Sequence, residues 1–302
     1  MKKLLAVLLC FVCIQVNAAE TVTIVYSWTA GDTAANYYRA LAESANRVQK
    51  QYTFIVDYKP GAGGAVAAAH VAKTPDTVLA TSSAFFIRIN LYPESGYNLD
   101  NYQELLPICF GPFVIVSSRY RTWQQVPTDQ RLTIAVSGLG TTTHLTALQI
   151  QRRYPRLDVI AYKSTSEATM AALSGQTDLA VNLMGDNSQF ERANSTGSRL
   201  YVLGTGGRRA VGNKPLLIDQ GFHSNMARMG SPAQLIVPVS TPAKKYEDWR
   251  RILQQAAQTD AVKQAISDDY CAPTAEMSLN PAAYYAESRS FWQRLTADLR
   301  VE

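Results

Sequence analysis

Short apolar runs alternate with segments of helical spacing through most of this chain, and the runs tend to end in loops of small residues. Thr21–Tyr26 reads as a strand, and Thr33–Gln49 as a helix with Tyr37, Leu41, Ala45 and Val48 near one face. The pattern repeats through strand candidates at 52–57, 78–81, 112–117, 132–136, 158–162, 178–183, 200–203 and 234–237. Helix candidates fall between them at 65–72, 142–153 and 167–173. Strands separated by helices in this way predict an α/β architecture with mainly parallel sheets, because parallel strands need crossover connections. After residue 237 the character changes to helices at 242–255, 260–267 and 281–299, the last carrying Tyr284, Tyr285, Phe291, Trp292 and Leu295. No low-complexity linker or repeat marks a boundary, as in a two-lobed protein whose chain crosses between lobes more than once.

Residues 132–148, LTIAVSGLGTTTHLTAL, are the most informative single stretch. An apolar run gives way to Ser137-Gly138-Leu139-Gly140, three threonines follow, and helical spacing begins at His144. A strand–loop–helix of this kind leaves backbone N–H groups at the helix start without intrahelical partners. With the positive end of the helix dipole, those donors suit an anion. The threonine hydroxyls suit either capping or a ligand oxygen. Comparable loops recur at 28–33, 60–64 and 81–83.

The first residues predict export. Met1-Lys2-Lys3 is a basic start, residues 4–14 are apolar but too short to span a bilayer, and Val16-Asn17-Ala18 resembles a cleavage site. A signal peptide over 1–18 implies a periplasmic protein of about 284 residues. Of 29 basic residues two lie in that segment, so against 24 acidic residues the net charge is about +3. That is too small and too scattered for a nucleic-acid footprint. Cys109 and Cys271 are the cysteines outside the leader, and an oxidising compartment permits a bridge that the sequence does not specify. The three histidines lack ligand spacing, so neither a metal site nor a cofactor is expected.

Several segments, in order, resemble one family. They are Tyr58-Lys59-Pro60-Gly61-Ala62-Gly63-Gly64 with its Ala-rich helix, Leu91-Tyr92-Pro93, residues 137–145 (SGLGTTTHL), Ala161-Tyr162-Lys163, residues 173–179 (LSGQTDL), Thr205-Gly206-Gly207-Arg208 and residues 238–242 (PVSTP). Together they are similar to the tripartite tricarboxylate transporter substrate-binding proteins, the Bug or TctC family. The resemblance implies a type II periplasmic-binding-protein fold, with two α/β lobes and a ligand cleft between them. Lobe 1 would hold 19–116 plus 237–302, and lobe 2 would hold 117–236. It further implies a monomer that captures a small organic acid and presents it to membrane permease subunits, with no catalytic step. The first loop departs from the family: Asp32 replaces the second glycine, and Ala35 or Asn36 stands where an Asp is usual. A carboxylate there would repel an anion and makes an amino-bearing ligand plausible.

The ligand-contact candidates are Gly138, Gly140, Thr141 and Thr142 from the central loop, Tyr26, Trp28, Gly31 and Asp32 from the first, Ser82 and Ser83 after a strand, and Tyr162 and Asn182 at two further strand ends. Each has a plainer reading: loop geometry for the glycines, lobe core for the aromatics, a turn for the serines. Lys163 could attract an anion or be solvated surface, Asp178 is expected to order its local loop, and His144 to orient its loop through a hydrogen bond. Two non-enzymatic alternatives to transport are a sensor that docks on a receptor and a degenerate member without a transport role. A hydrolase built on Ser137, His144 and Asp178 is disfavoured, because the chain lacks a Gly-x-Ser-x-Gly elbow.

Overall fold

A computed structural model describes residues 19–185, 199–208, 211–272 and 280–297. The expected signal peptide and the end of the last predicted helix lie outside these residues. Among the described residues eight strands form one continuous path, β2-β1-β3-β9-β4-β7-β5-β6, and a ninth, β8, pairs with β4 off that path. The first sheet holds β1 (Glu20–Tyr26), β2 (Tyr52–Tyr58), β3 (Thr77–Thr81) and β9 (Gly230–Pro238). The second holds β5 (Leu132–Val136), β6 (Leu157–Ala161), β7 (Leu179–Leu183) and β8 (Tyr201–Thr205). Strand β4 (Tyr102–Ser117) belongs to both: residues up to Pro112 pair with β9, and residues from Phe113 pair with β7 and β8.

This corrects two expectations. The sheets are mixed rather than mainly parallel, because β9 and β4 run antiparallel to their neighbours at the centre of the path. The strand expected over 112–117 is 16 residues long. It extends back to Tyr102 because residues up to Pro112 pair with β9, with register shifts between Glu104 and Leu106 and between Pro107 and Cys109.

Helices α1 (Ala34–Val48), α2 (Ala65–Val71), α3 (Ala84–Leu91), α4 (Thr142–Gln151) and α5 (Thr165–Leu173) follow β1, β2, β3, β5 and β6. Gly64, which opens α2, adopts φ +95°, and a Cβ there would sit 3.3 Å from Ser27 Cβ, so this loop packs against the end of β1 as the glycine run suggested. Helix α3 carries no amphipathic signal in the sequence, since all of 84–87 is buried. Helices α6 (Ala243–Ala257) and α7 (Asp260–Asp268) return to the first lobe, where Trp249, Leu253 and Ile266 join Leu41 and Ala45 of α1 in one buried cluster. Helix α8 (Pro281–Thr296) lays Tyr285 against Phe86, with ring centroids 5.1 Å apart, and its hydroxyl donates to the Leu99 carbonyl at 2.7 Å. Its cluster runs from Val25 and Leu79 in the first sheet to Ile134 and Val136 in the second, so one core underlies both lobes. A Cys109–Cys271 disulfide ties β4 to the segment after α7. No helix among the described residues is long and apolar enough to cross a membrane.

Candidate ligand cleft

A cleft of about 520 Å³, including its open mouth, lies where the two sheets meet. Its geometry follows from the strand–loop–helix units. The opening residues of four helices border it: Ala34 of α1, Ala84 of α3, Thr142 of α4 and Thr165 of α5. All four helices begin just beyond the carboxyl ends of parallel strands, where open α/β sheets place ligands.

The central loop is held rigidly by its own side chains. Thr141 caps α4 by accepting from the His144 N–H at 3.3 Å, and its hydroxyl donates to the Gly138 carbonyl at 2.8 Å. Thr143 Oγ1 accepts from the Ser137 N–H at 3.0 Å. Thr142 Oγ1 meets Ser83 Oγ at 2.6 Å, joining α4 to the start of α3. His144 Nδ1 accepts from the Gly140 N–H at 3.1 Å, and burial pulls the imidazole pKa down to about 4. The ring is therefore neutral at physiological pH and orients the loop, as the sequence suggested. Gly140 takes φ +71°, and a Cβ there would lie 2.7 Å from the Tyr92 ring. Arg88 Nη1, at the end of α3, donates to the Leu139 carbonyl at 3.1 Å while its guanidinium stacks 3.8 Å above Tyr92.

The opposite wall is aromatic. Tyr26 lies 5.7 Å from Trp28 and 5.2 Å from Tyr38, and Tyr37 lies 4.6 Å from Tyr38. Burial holds the Tyr37 and Tyr38 phenols well above their ordinary pKa, so both stay protonated. Asp32 borders the same wall, only 4% exposed, and its Oδ1 accepts from the Thr29 hydroxyl at 3.2 Å. Next to it Thr33 Oγ1 donates to Asp269 Oδ1. No Lys, Arg or His side chain borders the cleft among the described residues.

Of the residues singled out from the sequence, Tyr26, Trp28, Asp32, Ser82, Thr141 and Thr142 border this space. Ser83 stands behind it on Thr142, and Gly138 and Gly140 shape the loop. Gly31, Tyr162 and Asn182 lie outside the lining; Asn182 is fully buried, with Oδ1 accepting the Leu183 N–H at 2.8 Å. Lys163 is exposed and away from the cleft. Asp178 orders its surroundings: it accepts from the Thr133 N–H at 2.9 Å and from Arg119 at 3.0 Å. Tyr37, Tyr38, Phe113, Thr165 and Ser231 were missed. For Thr165 a signal existed, since Ser164 caps α5 by accepting from the Glu167 N–H, and Glu167 reaches back to accept from the Lys163 N–H. The others are cleft residues only because distant elements meet.

Residues 37–299 match the family described as tripartite tricarboxylate transporter family receptor, TctC. The chain belongs to this family. These receptors bind solutes and are not enzymes. A comparison with curated protein sequences returns no match. Among solved structures, the periplasmic binding protein BugD superposes with TM-score 0.79 at 19% identity, covering 92% of this chain and 97% of its own. MatC from Rhodopseudomonas palustris, solved with bound malate, gives TM-score 0.76 at 18% identity, covering 91% and 98%. An R. palustris protein solved with adipate gives 0.77 at 17%, covering 92% and 96%. At these identities the likeness to this TctC receptor is one of fold.

Proposed function

We propose that this receptor captures a small organic carboxylate in the periplasm and delivers it to the membrane subunits of a tripartite tricarboxylate-type transporter. One observation carries the reading: four helices begin at a single cleft without a cationic side chain among its described lining. Backbone N–H groups and aligned peptide dipoles favour an anion there, each exposed terminus contributing about 0.3–1 kcal/mol. Ser82 and Thr142 add hydroxyls at the same end, and bridging waters serve such sites well. Two solved structures of the same fold hold dicarboxylates, adipate in one and malate in the other. The two lobes, one carrying the first sheet and one the second, would close on the solute by pivoting where β4 crosses between them after Pro112 and where the chain returns into β9 at Gly230.

The test is thermal unfolding of the mature protein against a panel of mono-, di- and tricarboxylates and amino acids. A cognate acid at about 100 times its Kd should add ~2.7 kcal/mol. A flat response from folded, ligand-free protein would sink the proposal.

A further inference from the structure

The two lobes contribute unlike walls to the cleft. The second lobe supplies donors. At the start of α4 the N–H groups of Thr142 and Thr143, and at the start of α5 those of Thr165 and Ser166, make no hydrogen bond among the described residues. The Thr165 hydroxyl also lacks a partner among them, although the residue is only 8% exposed and its side chain borders the cleft. The first lobe has turned most of its leading donors inward. In α3 the Ala84 N–H donates to Ser82 Oγ at 3.3 Å, and the Phe85 and Phe86 N–H groups donate to the Ser82 and Ser83 carbonyls. In α1 the Ala35 and Asn36 N–H groups donate to the Asp32 and Thr33 carbonyls. What the first lobe presents instead is aromatic: a half-buried Trp28, with Tyr26, Tyr37 and Tyr38 packed behind it. The Tyr38 hydroxyl already donates toward the Thr81 and Gln234 carbonyls, at 3.5 and 3.4 Å.

We infer that the solute is a monocarboxylate bearing an aromatic ring, with its carboxylate on the starts of α4 and α5 and its ring against Trp28. The inference rests on the cleft being the solute site proposed above, and it makes Trp28 the residue that sets specificity. The second-lobe wall suits an anion because free N–H groups, aligned peptide dipoles and the Thr165 hydroxyl converge there. The first-lobe wall suits a ring because aromatic pairs attract beyond their area burial. A second carboxylate on that side would lose water without meeting a Lys, Arg or His side chain among the described lining, which costs binding free energy. Closure of the lobes would then lay Trp28 on the ring while the second lobe keeps the carboxylate.

Calorimetric titration with benzoate, phenylacetate and 3-phenylpropionate tests this, each against its cyclohexyl counterpart and all against succinate, glutarate and adipate. The best aromatic acid should bind about tenfold or more tighter than the best dicarboxylate. It should bind about threefold or more tighter than its own cyclohexyl counterpart. Trp123, Trp249 and Trp292 are buried, at 2%, 1% and 4% exposure, so a change in tryptophan emission on binding reports Trp28 and should vanish in Trp28→Leu. The same variant, which keeps apolar bulk, should lose most of the preference for the ring. Equal or tighter binding of a dicarboxylate or a cyclohexyl acid would overturn the inference while leaving solute capture intact. Failure of every acid in the panel would remove both. A Trp28→Leu protein that melts normally and keeps the wild-type preference would also overturn it. If that variant does not fold, the wild-type affinity ratios decide alone.

Discussion

His144 shows how one buried side chain ties the cleft loop to pH. Its pKa is about 4 in the fold and about 6.5 in an unfolded chain. Between those values the unfolded state takes up a proton that the folded state refuses, so stability falls as pH drops from 6.5 to 4. The loss approaches about 3 kcal/mol. Denaturant melts across that window should show it, and His144→Gln, which keeps an acceptor for the Gly140 N–H, should flatten the profile. Glu104 has the opposite sign. It is 1% exposed, both carboxylate oxygens lack partners among the described residues, and burial raises its pKa well above the ordinary value. Above the unfolded pKa of about 4.3 the unfolded state releases a proton that the folded state keeps, so this group costs stability as pH rises. Glu104→Gln should therefore be more stable than wild type at pH 8, with the difference shrinking toward pH 4.

At the scale of elements, α3 is the piece that joins the two sides of the cleft. Ser83 at its start bonds Thr142, and Arg88 in its last turn bonds Leu139. Both partners belong to the unit that runs from β5 into α4. Arg88→Ala removes a charge-assisted contact between lobes but no buried core, since this hydrogen bond is exposed. Ligand affinity should drop about fivefold, on the order of 1 kcal/mol, with little change in the melting of the ligand-free protein. Unchanged affinity would show that the contact does not favour the liganded form. The sequence around α3 gave little warning of a helix. A helical stripe is visible only when one face meets water, and 84–87 is buried throughout. By contrast α1 has one buried face and one wet face, and its span was readable within a residue at each end.

The disulfide acts on the whole molecule. Cys109 and Cys271 close a loop of 162 residues that contains all of the second sheet's own strands. A bridge of that span restricts the unfolded chain, and its loss should cost roughly 2–5 kcal/mol. Cys109→Ser with Cys271→Ser, or reduction of the native protein, should lower the melting temperature by that equivalent. The bridge also fixes Cys271 two residues after Asp269, whose Oδ1 accepts from the Thr33 hydroxyl beside the cleft. Affinity for the cognate solute should fall together with stability.

Sequence alone determined the fold class, because periodicity is a local property: a strand that buries one face and a helix that buries one stripe declare themselves within a dozen residues. It also located the loop whose small residues and hydroxyls start α4, because capping and positive φ demand particular side chains there. Thr141 and Thr142 border the cleft from that loop. Tertiary structure decided the rest. How far β4 extends before Pro112 depends on β9, more than 100 residues away. Whether Tyr37 and Tyr38 face core or cleft depends on where the lobes meet. The partner of Cys109, and the convergence of helices starting at 34, 84, 142 and 165, are set by contacts between distant residues. Those contacts arise when apolar area is buried jointly, and no local pattern encodes them.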